Sequence, residues 1–260
     1  MAESRDSISN TFVVAIGVSL ICSVLVSAAA VLLKPRQERN EALYRQKIVL
    51  EVAGLYETDA DIEQRFADID ARTVDLASGD YVESMDARDL DAVALSKDPE
   101  LSIAIPAEVD VSGLRRRSIY APVYIVRDGE AIEQVILPVY GAGLWSTMYG
   151  YLALEADGAT VRGLRFYEHA ETPGLGDQLE KTDWLAQWPG KQLYDASGDV
   201  RIEVVRGQAP PGADLQYQVD GMSGATLTGR GVTNLIRYWV GPHGFGPYLA
   251  KLAEEAPRDD

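Results

Sequence analysis

The sequence predicts an α+β fold in which an N-terminal transmembrane helix precedes a globular domain with an antiparallel sheet and flanking helices. One uncharged apolar run occupies residues 11 to 33, and several short β-rich segments lie between residues 118 and 168. Helical apolar spacing returns only after these segments, at 178 to 187 and 230 to 238. Strands and helices are therefore grouped, which is typical of an α+β domain and not of a doubly wound sheet.

The apolar run TFVVAIGVSLICSVLVSAAAVLL contains 23 residues without a charge. At about 1.5 Å per residue it is roughly 34 Å long as a helix, which is enough to cross a bilayer core. A cleaved signal peptide is the alternative, because small residues stand at 27 to 30. The run is longer than the usual signal core of about 7–15 residues, so an uncleaved anchor is the better interpretation.

The charges beside this span leave its orientation open. Arg5 is the only basic residue before it, whereas Lys34, Arg36 and Arg39 follow it. The flank of a membrane span that is richer in Lys and Arg tends to stay in the cytoplasm. By this count alone, the large domain after the span would be cytoplasmic. That rule weakens for long translocated domains, so these few charges do not decide the side.

Composition excludes several function classes. The 40 acidic and 24 basic residues give a net charge of -16, which argues against a nucleic-acid partner because phosphate neutralisation needs clustered Lys and Arg. The single cysteine, Cys22, allows no intrachain disulfide and no cluster ligated by this chain's thiolates. With two histidines, His169 and His243, a multi-histidine metal or haem site is not expected, and no metal site is predicted.

The chain divides by pattern into four regions. Residues 1–10 form an N-terminal tail, 11–33 the transmembrane helix, 34–100 a helical, acidic membrane-proximal region, and 101–260 the main globular domain. In the third region, apolar residues at helical spacing predict two helices. These residues are Tyr44, Ile48, Val52 and Leu55 for the first helix and Ile62, Phe66 and Ile69 for the second.

Turn dipeptides separate the β-rich segments of the globular domain. The segments are SIYAPVYIVR, EQVILPVYG, MYGYLALE and TVRGLRFYE, with Asp128-Gly129 after the first and Asp157-Gly158 after the third. Such dipeptides between apolar alternating segments predict antiparallel hairpins. A further strand is expected within RIEVVRG at 201 to 207.

A short segment, Asp220-Gly221-Met222-Ser223-Gly224-Ala225-Thr226, links a strand-like stretch to the helix predicted at 230 to 238. Its small residues would let a bulky group approach the backbone, and a phosphate there would be stabilised by free N–H groups and the helix dipole. An Asp-Gly turn followed by a Ser or Thr helix cap explains the same residues without a cofactor. On chemistry alone the turn and cap are favoured, because short motifs give many false positives.

The segment nevertheless resembles the flavinylation motif of FMN-binding electron-transfer proteins. The resemblance implies that Thr226 carries FMN through a phosphoester and that Asp220, Ser223, Gly224 and Ala225 contribute to cofactor binding. It also makes residues 101–260 an FMN-binding domain. The segment is not a P-loop, because no Lys follows a glycine at the required place.

Two other segments extend the resemblance. Glu168 to Gly176 is similar to the family's Glu-Thr-Pro-Gly-Leu-Gly loop beside the flavin, which implies flavin contacts by Glu171, Thr172, Gly174, Leu175 and Gly176. Residues 141 to 150, GAGLWSTMYG, resemble a segment specific to the C-type subunit of sodium-translocating NADH:quinone reductases, and this resemblance implies that Trp145 lies beside the flavin. Ala142 departs from the Lys found in many relatives.

Each of these residues also has an explanation without a cofactor. Trp145 could belong to the core, as aromatic residues on strands usually do. Glu171 and Thr172 could shape a turn before Pro173, and Gly174 and Gly176 could supply positive φ angles. His169 taken alone favours a histidine whose hydrogen bonds are satisfied within a turn.

The resemblance implies an electron-relay subunit of a sodium-translocating NADH:ubiquinone reductase with no complete activity alone. Its partners would be other subunits of a membrane complex, including an integral subunit with a second covalent FMN, and a flavin transferase for maturation. The family places the chain in the bacterial inner membrane as a single-pass protein with a periplasmic C-terminal domain. NADH oxidation and quinone reduction would occur on other subunits, coupled in the complex to sodium export.

Two other hypotheses stay open on sequence. The first is the G-type subunit of an ion-pumping ferredoxin:NAD reductase, which shares the Thr-linked flavin; the segment GLWSTMYG at 143 to 150 favours the quinone reductase over it. The second is a non-enzymatic, membrane-anchored acidic adaptor whose glycine motifs are only turns. A yellow colour that survives denaturation would separate the flavoproteins from the adaptor.

Overall fold

The computed structural model describes residues 8–255 and separates into two units, of which the first ends at Arg45 and the second begins at Gln46. The helix α1, Ile8–Val52, forms the described part of the first unit and continues into the second. The first seven residues of the predicted tail and the last five of the C-terminal domain lie outside the described residues.

Helix α1 contains the whole predicted span. Within residues 8–255 it is the one helix long and apolar enough to cross a membrane, with a mean hydropathy of 2.6 over 18 residues and none of that window buried. The sequence pattern predicts two separate helices here, the span and a second helix that contains Ile48. In the structure they form one continuous helix, which includes Pro35. The last turns of the same helix bury Ile48, Val49 and Leu50 in the second unit.

The second unit is an α+β domain. Its further helices are α2 (Ile62–Ala67), α3 (Ala92–Leu95), α4 (Thr182–Leu185), α5 (Thr226–Val240) and α6 (Gly246–Glu255). Its strands are β1 (Asp70–Asp75), β2 (Ser102–Ala104), β3 (Arg116–Ser118), β4 (Tyr120–Asp128), β5 (Ala131–Ala142), β6 (Thr147–Glu155), β7 (Val161–Glu168), β8 (Glu203–Val204) and β9 (Gln218–Val219).

The central sheet has five antiparallel strands in the order β1-β4-β5-β6-β7. The β4–β5 and β6–β7 hairpins turn at the two predicted dipeptides, where Gly129 has φ +60° and Gly158 has φ +67°. At the second turn, the Asp157 carboxylate accepts hydrogen bonds from the backbone N–H groups of Ala159 and Thr160, each at 2.8 Å. The four predicted strands of this region are confirmed.

The two faces of the sheet bury different clusters. One face packs against α5, with the indole N–H of Trp239 donating to the Tyr140 carbonyl at 2.6 Å. The other face packs against the last turns of α1 and α2, where Phe66 lies 5.5 Å from Tyr124 between ring centroids. Both sides of β5 are therefore buried, which explains its near-continuous apolar sequence.

Several elements differ from their sequence-based bounds. Residues 70 to 75, inside the region expected to be helical, form the edge strand β1. The helix expected at 178 to 187 is a 3-10 turn, Gly176–Glu180, followed by α4, because Lys181 is extended at ψ 133°. The strand expected at 201 to 207 is reduced to β8, and α5 begins at Thr226 instead of residue 230.

Candidate functional site

The structure brings the three predicted segments together at the start of α5. The hydroxyl of Thr228, on the first turn of α5, lies 2.5 Å from Oε2 of Glu171. The other oxygen of Glu171 accepts the backbone N–H of Leu144 at 2.8 Å. The loop before α5 joins the same cluster, because the Gln178 amide donates to the Ser223 carbonyl at 3.0 Å. Residues distant in sequence thus form one site.

Thr226 is the first residue of α5, and its side chain is exposed. Ala225 occupies the N-cap position and has no side-chain oxygen that could accept hydrogen bonds from the first-turn N–H groups. These groups and the positive end of a 15-residue helix favour an anion beside the Thr226 hydroxyl. A phosphate group therefore fits this position. The alternative of a Ser or Thr cap is wrong, because the capping position holds Ala225.

Thr228, two residues later, has the opposite environment. It is 1% exposed, and its hydroxyl is engaged by the buried carboxylate of Glu171. Of these two threonines of α5, only Thr226 presents an accessible hydroxyl.

Asp220 anchors the segment that leads to α5 to other parts of the domain. Its carboxylate accepts the backbone N–H of Ala209 at 2.7 Å, and its own N–H donates to Gln187 at 3.0 Å. Its carbonyl accepts the indole N–H of Trp184 at 2.8 Å. The interpretation of Asp220-Gly221 as a turn is wrong, because the turn of this segment is formed by Ser223 and Gly224, where the Ala225 N–H donates to the Met222 carbonyl at 3.1 Å. A flavin contact by Asp220 stays a prediction.

Gly224 allows the side chain of Leu175 to pack directly on the backbone near Thr226. Its φ is +75°, and a Cβ there would lie 2.8 Å from Cδ2 of Leu175, which covers it. Leu175 itself remains 43% exposed. The side chain of Leu175 therefore offers an apolar surface directly over the backbone of the predicted cofactor motif.

The two loop glycines have different roles. Gly174 has φ +79°, as expected for a turn glycine. Gly176 does not have a positive φ, so the expectation that it supplies one is wrong. A Cβ at Gly176 would lie 2.8 Å from Cβ of Glu171 and 2.9 Å from the Thr228 hydroxyl. Gly176 is therefore needed for the close packing of the loop on α5.

Trp145 lies at the surface. Its side chain is 69% exposed, and its indole N–H donates to the Thr172 hydroxyl at 3.0 Å. The interpretation of Trp145 as a core residue is wrong. Leu144 and Leu227 are also exposed, at 44% and 53%. Together with Leu175 they give the site several exposed apolar side chains, which is typical of a binding surface.

Leu227 and Thr228 were not predicted as site residues. The sequence offers little evidence for their roles, because leucine and threonine are common in the first turn of a helix and neither residue type indicates whether its side chain is exposed or buried. His169 is satisfied locally, as the turn interpretation predicts: its Nδ1 accepts the Glu171 N–H at 3.1 Å and its Nε2 lies 2.7 Å from Glu180. Within residues 8–255 no group of three or more His, Cys, Asp and Glu side chains could hold a metal ion.

Comparison with known proteins identifies the family. The FMN-binding domain family model matches residues 143–241, which include the segments 168–176 and 220–226 in full and residues 143–150 of the third segment. The C-type subunit of the Na(+)-translocating NADH-quinone reductase from Haemophilus ducreyi is 45% identical over 256 residues, covering 97% of each chain. The protein of the same name from Vibrio alginolyticus is 45% identical and covers 98% of each chain. The chain belongs to this C-type family.

Solved structures of the C-type family agree with the fold. The crystal structure of Shewanella oneidensis NqrC has a TM-score of 0.75 and 34% identity, covering 81% of this chain and 96% of that one. The C-type protein from Parabacteroides distasonis has a TM-score of 0.65 and 25% identity, covering 84% and 96%. The predicted fold and family are confirmed, and the C-type family is favoured over the G-type subunit and the adaptor.

Proposed function

We propose that this chain is the electron-relay subunit of a Na(+)-translocating NADH-quinone reductase and carries FMN as a phosphoester on Thr226. The observation that carries the proposal is the contrast between the exposed hydroxyl of Thr226 and the engaged hydroxyl of Thr228. In the assembled complex, electrons pass from this flavin to a second covalent FMN on an integral subunit, and the transfer is coupled to sodium export.

The residues around Thr226 suit the phosphate end of FMN. The first-turn N–H groups of α5 can donate to phosphate oxygens, and the small residues Ser223, Gly224 and Ala225 leave room for them. A covalent bond keeps the cofactor from being lost by dissociation, which suits a protein that only passes electrons on.

The exposed apolar side chains suit the isoalloxazine end. Trp145 and Leu175 offer flat and branched apolar surfaces on two different loops. The bound flavin supplies the redox chemistry, and these residues orient its ring and adjust its electronic environment.

Flavin attachment can be tested by co-expression of this chain with a flavin transferase. On a denaturing gel, the wild-type band should fluoresce under ultraviolet light, and Thr226→Ala should remove the fluorescence. Ser223→Ala is the matched control, because it removes an exposed hydroxyl three residues away and should leave the band fluorescent. A fluorescent Thr226→Ala band would contradict the assignment.

The tryptic peptide from residue 207 to 230 then locates the flavin, because it contains Ser223, Thr226 and Thr228 together. Fragmentation of this peptide should place the added mass of FMN on Thr226. Mass on either of the other two residues would move the attachment site.

We further propose that residues 11–33 cross the bacterial inner membrane once and that the following regions, 34–100 and 101–260, are periplasmic. The apolar length of α1 supports the span. The side can be tested with a single cysteine at the exposed position Ser197, in a Cys22→Ser background. A membrane-impermeant maleimide should label Ser197→Cys in intact cells, and labelling only after lysis would place the domain in the cytoplasm.

A further inference from the structure

Glu171 occupies an unusual position for a residue expected to touch a flavin. Its side chain is 4% exposed and points inward from a loop whose neighbours Thr172 to Leu175 are all exposed. Both carboxylate oxygens accept hydrogen bonds from the protein itself. The carboxylate therefore joins parts of the site instead of forming its surface.

Three donors from two other segments converge on this carboxylate. Oε1 accepts the backbone N–H groups of Leu144 and Trp145 at 2.8 and 3.3 Å. Oε2 accepts the hydroxyl of Thr228 at 2.5 Å. One side chain thus connects the loop that carries Trp145 with the helix turn that carries Thr226.

Two glycines show how closely the chain packs around the carboxylate. A Cβ on Gly176 would lie 2.9 Å from Oε2, and a Cβ on Gly143 would collide with Oε1. The backbone at Gly143 and at Gly176 therefore lies closer to the Glu171 carboxylate than a residue with a Cβ would allow.

We propose that Glu171 is a positioning residue, which together with Thr228 sets the position of Trp145 relative to the attachment point on Thr226. The inference rests on the proposed attachment of FMN to Thr226. The phosphoester fixes only the phosphate end of the cofactor. The orientation of the isoalloxazine ring therefore depends on where Trp145 lies relative to Thr226. Glu171 supplies this connection, because it bonds directly to the backbone of Trp145 and to α5.

The geometry also explains why Thr228 needs a hydroxyl at a buried position. Thr228→Val keeps the shape but leaves Oε2 of Glu171 without its donor. Thr233→Val is the matched control: Thr233 is a buried threonine of the same helix, and its hydroxyl bonds to Val204 and Gly229 away from Glu171. Thr228→Ser restores the hydroxyl and tests rescue.

The first measurement uses flavin-free protein and therefore does not depend on the proposed attachment. Amide hydrogen exchange at Leu144 and Trp145 should become about tenfold faster or more in Glu171→Ala, since their acceptor is removed. Thr228→Val should accelerate exchange at the same two amides, whereas Thr233→Val and Thr228→Ser should not. Unchanged exchange in Thr228→Val would overturn the inference.

The second measurement uses flavinylated protein and a double-mutant cycle on the flavin midpoint potential and absorption spectrum. Thr228→Val should shift both quantities, and the shift should vanish in a Trp145→Ala background if the pair acts through Trp145. A full shift in that background, or an equal shift in Thr233→Val, would overturn the positioning role. A wild-type protein without covalent FMN would instead refute the proposed function and leave the exchange result standing.

Discussion

Thr226 and Thr228 are identical in type and two positions apart, yet only one of them is suited to accept a cofactor. Residues two apart on a helix point to opposite sides, because each residue advances the helix by about 100°. The start of α5 at Thr226 therefore turns this hydroxyl to solvent and the hydroxyl of Thr228 toward Glu171. A shift of the helix by one residue would remove this distinction.

Trp145 supports a prediction at the same scale. In flavinylated protein, Trp145→Ala should keep covalent FMN but shift its absorption, because the ring loses an aromatic wall. An aromatic contact contributes about 0.5–1.5 kcal/mol, and only the part that differs between oxidised and reduced flavin changes the two-electron midpoint potential, so the shift should be at most about 30 mV. Spectroelectrochemical titration measures this shift directly.

The control for this prediction is Thr172→Val, which removes the hydroxyl that accepts the Trp145 indole N–H at 3.0 Å and keeps the ring itself. Its shift should be smaller than that of Trp145→Ala and in the same direction. Wild-type spectra and potentials in both variants would mean that Trp145 does not contact the flavin.

Helix α1 belongs to both units, because the boundary between them lies after Arg45, inside the helix. This boundary predicts where the chain can be shortened without unfolding the second unit. A truncated protein that begins at residue 36 keeps the buried residues Ile48, Val49, Leu50 and Val52 and should fold without detergent. Circular dichroism and thermal unfolding would check this. An insoluble product would show that the second unit depends on the membrane-spanning part of the helix.

A protein that begins at residue 56 is the matched comparison. It loses those four apolar side chains, each contributing about 1.5–3 kcal/mol, and also the carbonyl of Ala53 that accepts the Gln134 amide at 3.0 Å. Net stabilities of domains are about 5–15 kcal/mol, so this shorter protein should be unfolded or close to it. An equal melting temperature for both truncated proteins would contradict the packing described for α1.

Helix α5 approaches the sheet closely because glycines stand at the contact. A Cβ on Gly231 would lie 2.7 Å from the Ala142 carbonyl oxygen, which is backbone and cannot rotate away. A Cβ on Gly141 would likewise lie 2.7 Å from Cβ of Leu235. The close approach places the first turn of α5 beside the loop that follows β5.

Two glycines of α5 provide a prediction at the element scale. Gly231→Ala should destabilise the domain by about 1–3 kcal/mol, because the helix must move away from β5. Gly229→Ala should be nearly neutral, since its Cβ would meet only side chains, the nearest being Val204 at 3.1 Å, and alanine favours the helix by about 1 kcal/mol. Urea unfolding of the truncated protein beginning at residue 36 compares them, and an equal loss in both variants would contradict this packing.

The whole molecule buries several tyrosines, and this sets its behaviour in alkali. Burial raises the pKa of Tyr238 to about 12 and also raises the pKa values of Tyr140, Tyr194 and Tyr248 above their ordinary value of about 10. The folded state therefore retains these protons at a pH at which the unfolded chain releases them. The corresponding stabilisation is complete below about pH 10 and is lost as pH rises through the folded-state values.

We accordingly expect the free energy of unfolding of the second unit to fall steeply above about pH 10. Urea titrations at a series of pH values on both sides of this point would measure it. Tyr194→Phe is an informative variant, because it removes the hydroxyl that donates to the Val240 carbonyl at 2.7 Å and should make the decline with pH shallower. A pH-independent stability across this range would contradict the burial of these hydroxyls.

Local pattern and composition were sufficient for the features that neighbouring residues decide. The length and apolarity of residues 11 to 33, the alternation of the four β-rich segments and the turns at Gly129 and Gly158 follow from the spacing of adjacent positions. The cofactor motif was also recognisable, because its residues are contiguous. In each case the residues that decide the outcome are close together along the chain.

The arrangement between distant segments depends on the tertiary fold. The edge strand β1 pairs with β4 across an intervening stretch of loops and short elements, and Thr228 meets Glu171 across 57 residues. No local pattern marks such pairs, because the partners are selected by the packing of α5 and the loops on one sheet. For the same reason the sequence could not exclude a core position for Trp145, since its exposure follows from where its loop leaves the sheet and not from its own chemistry.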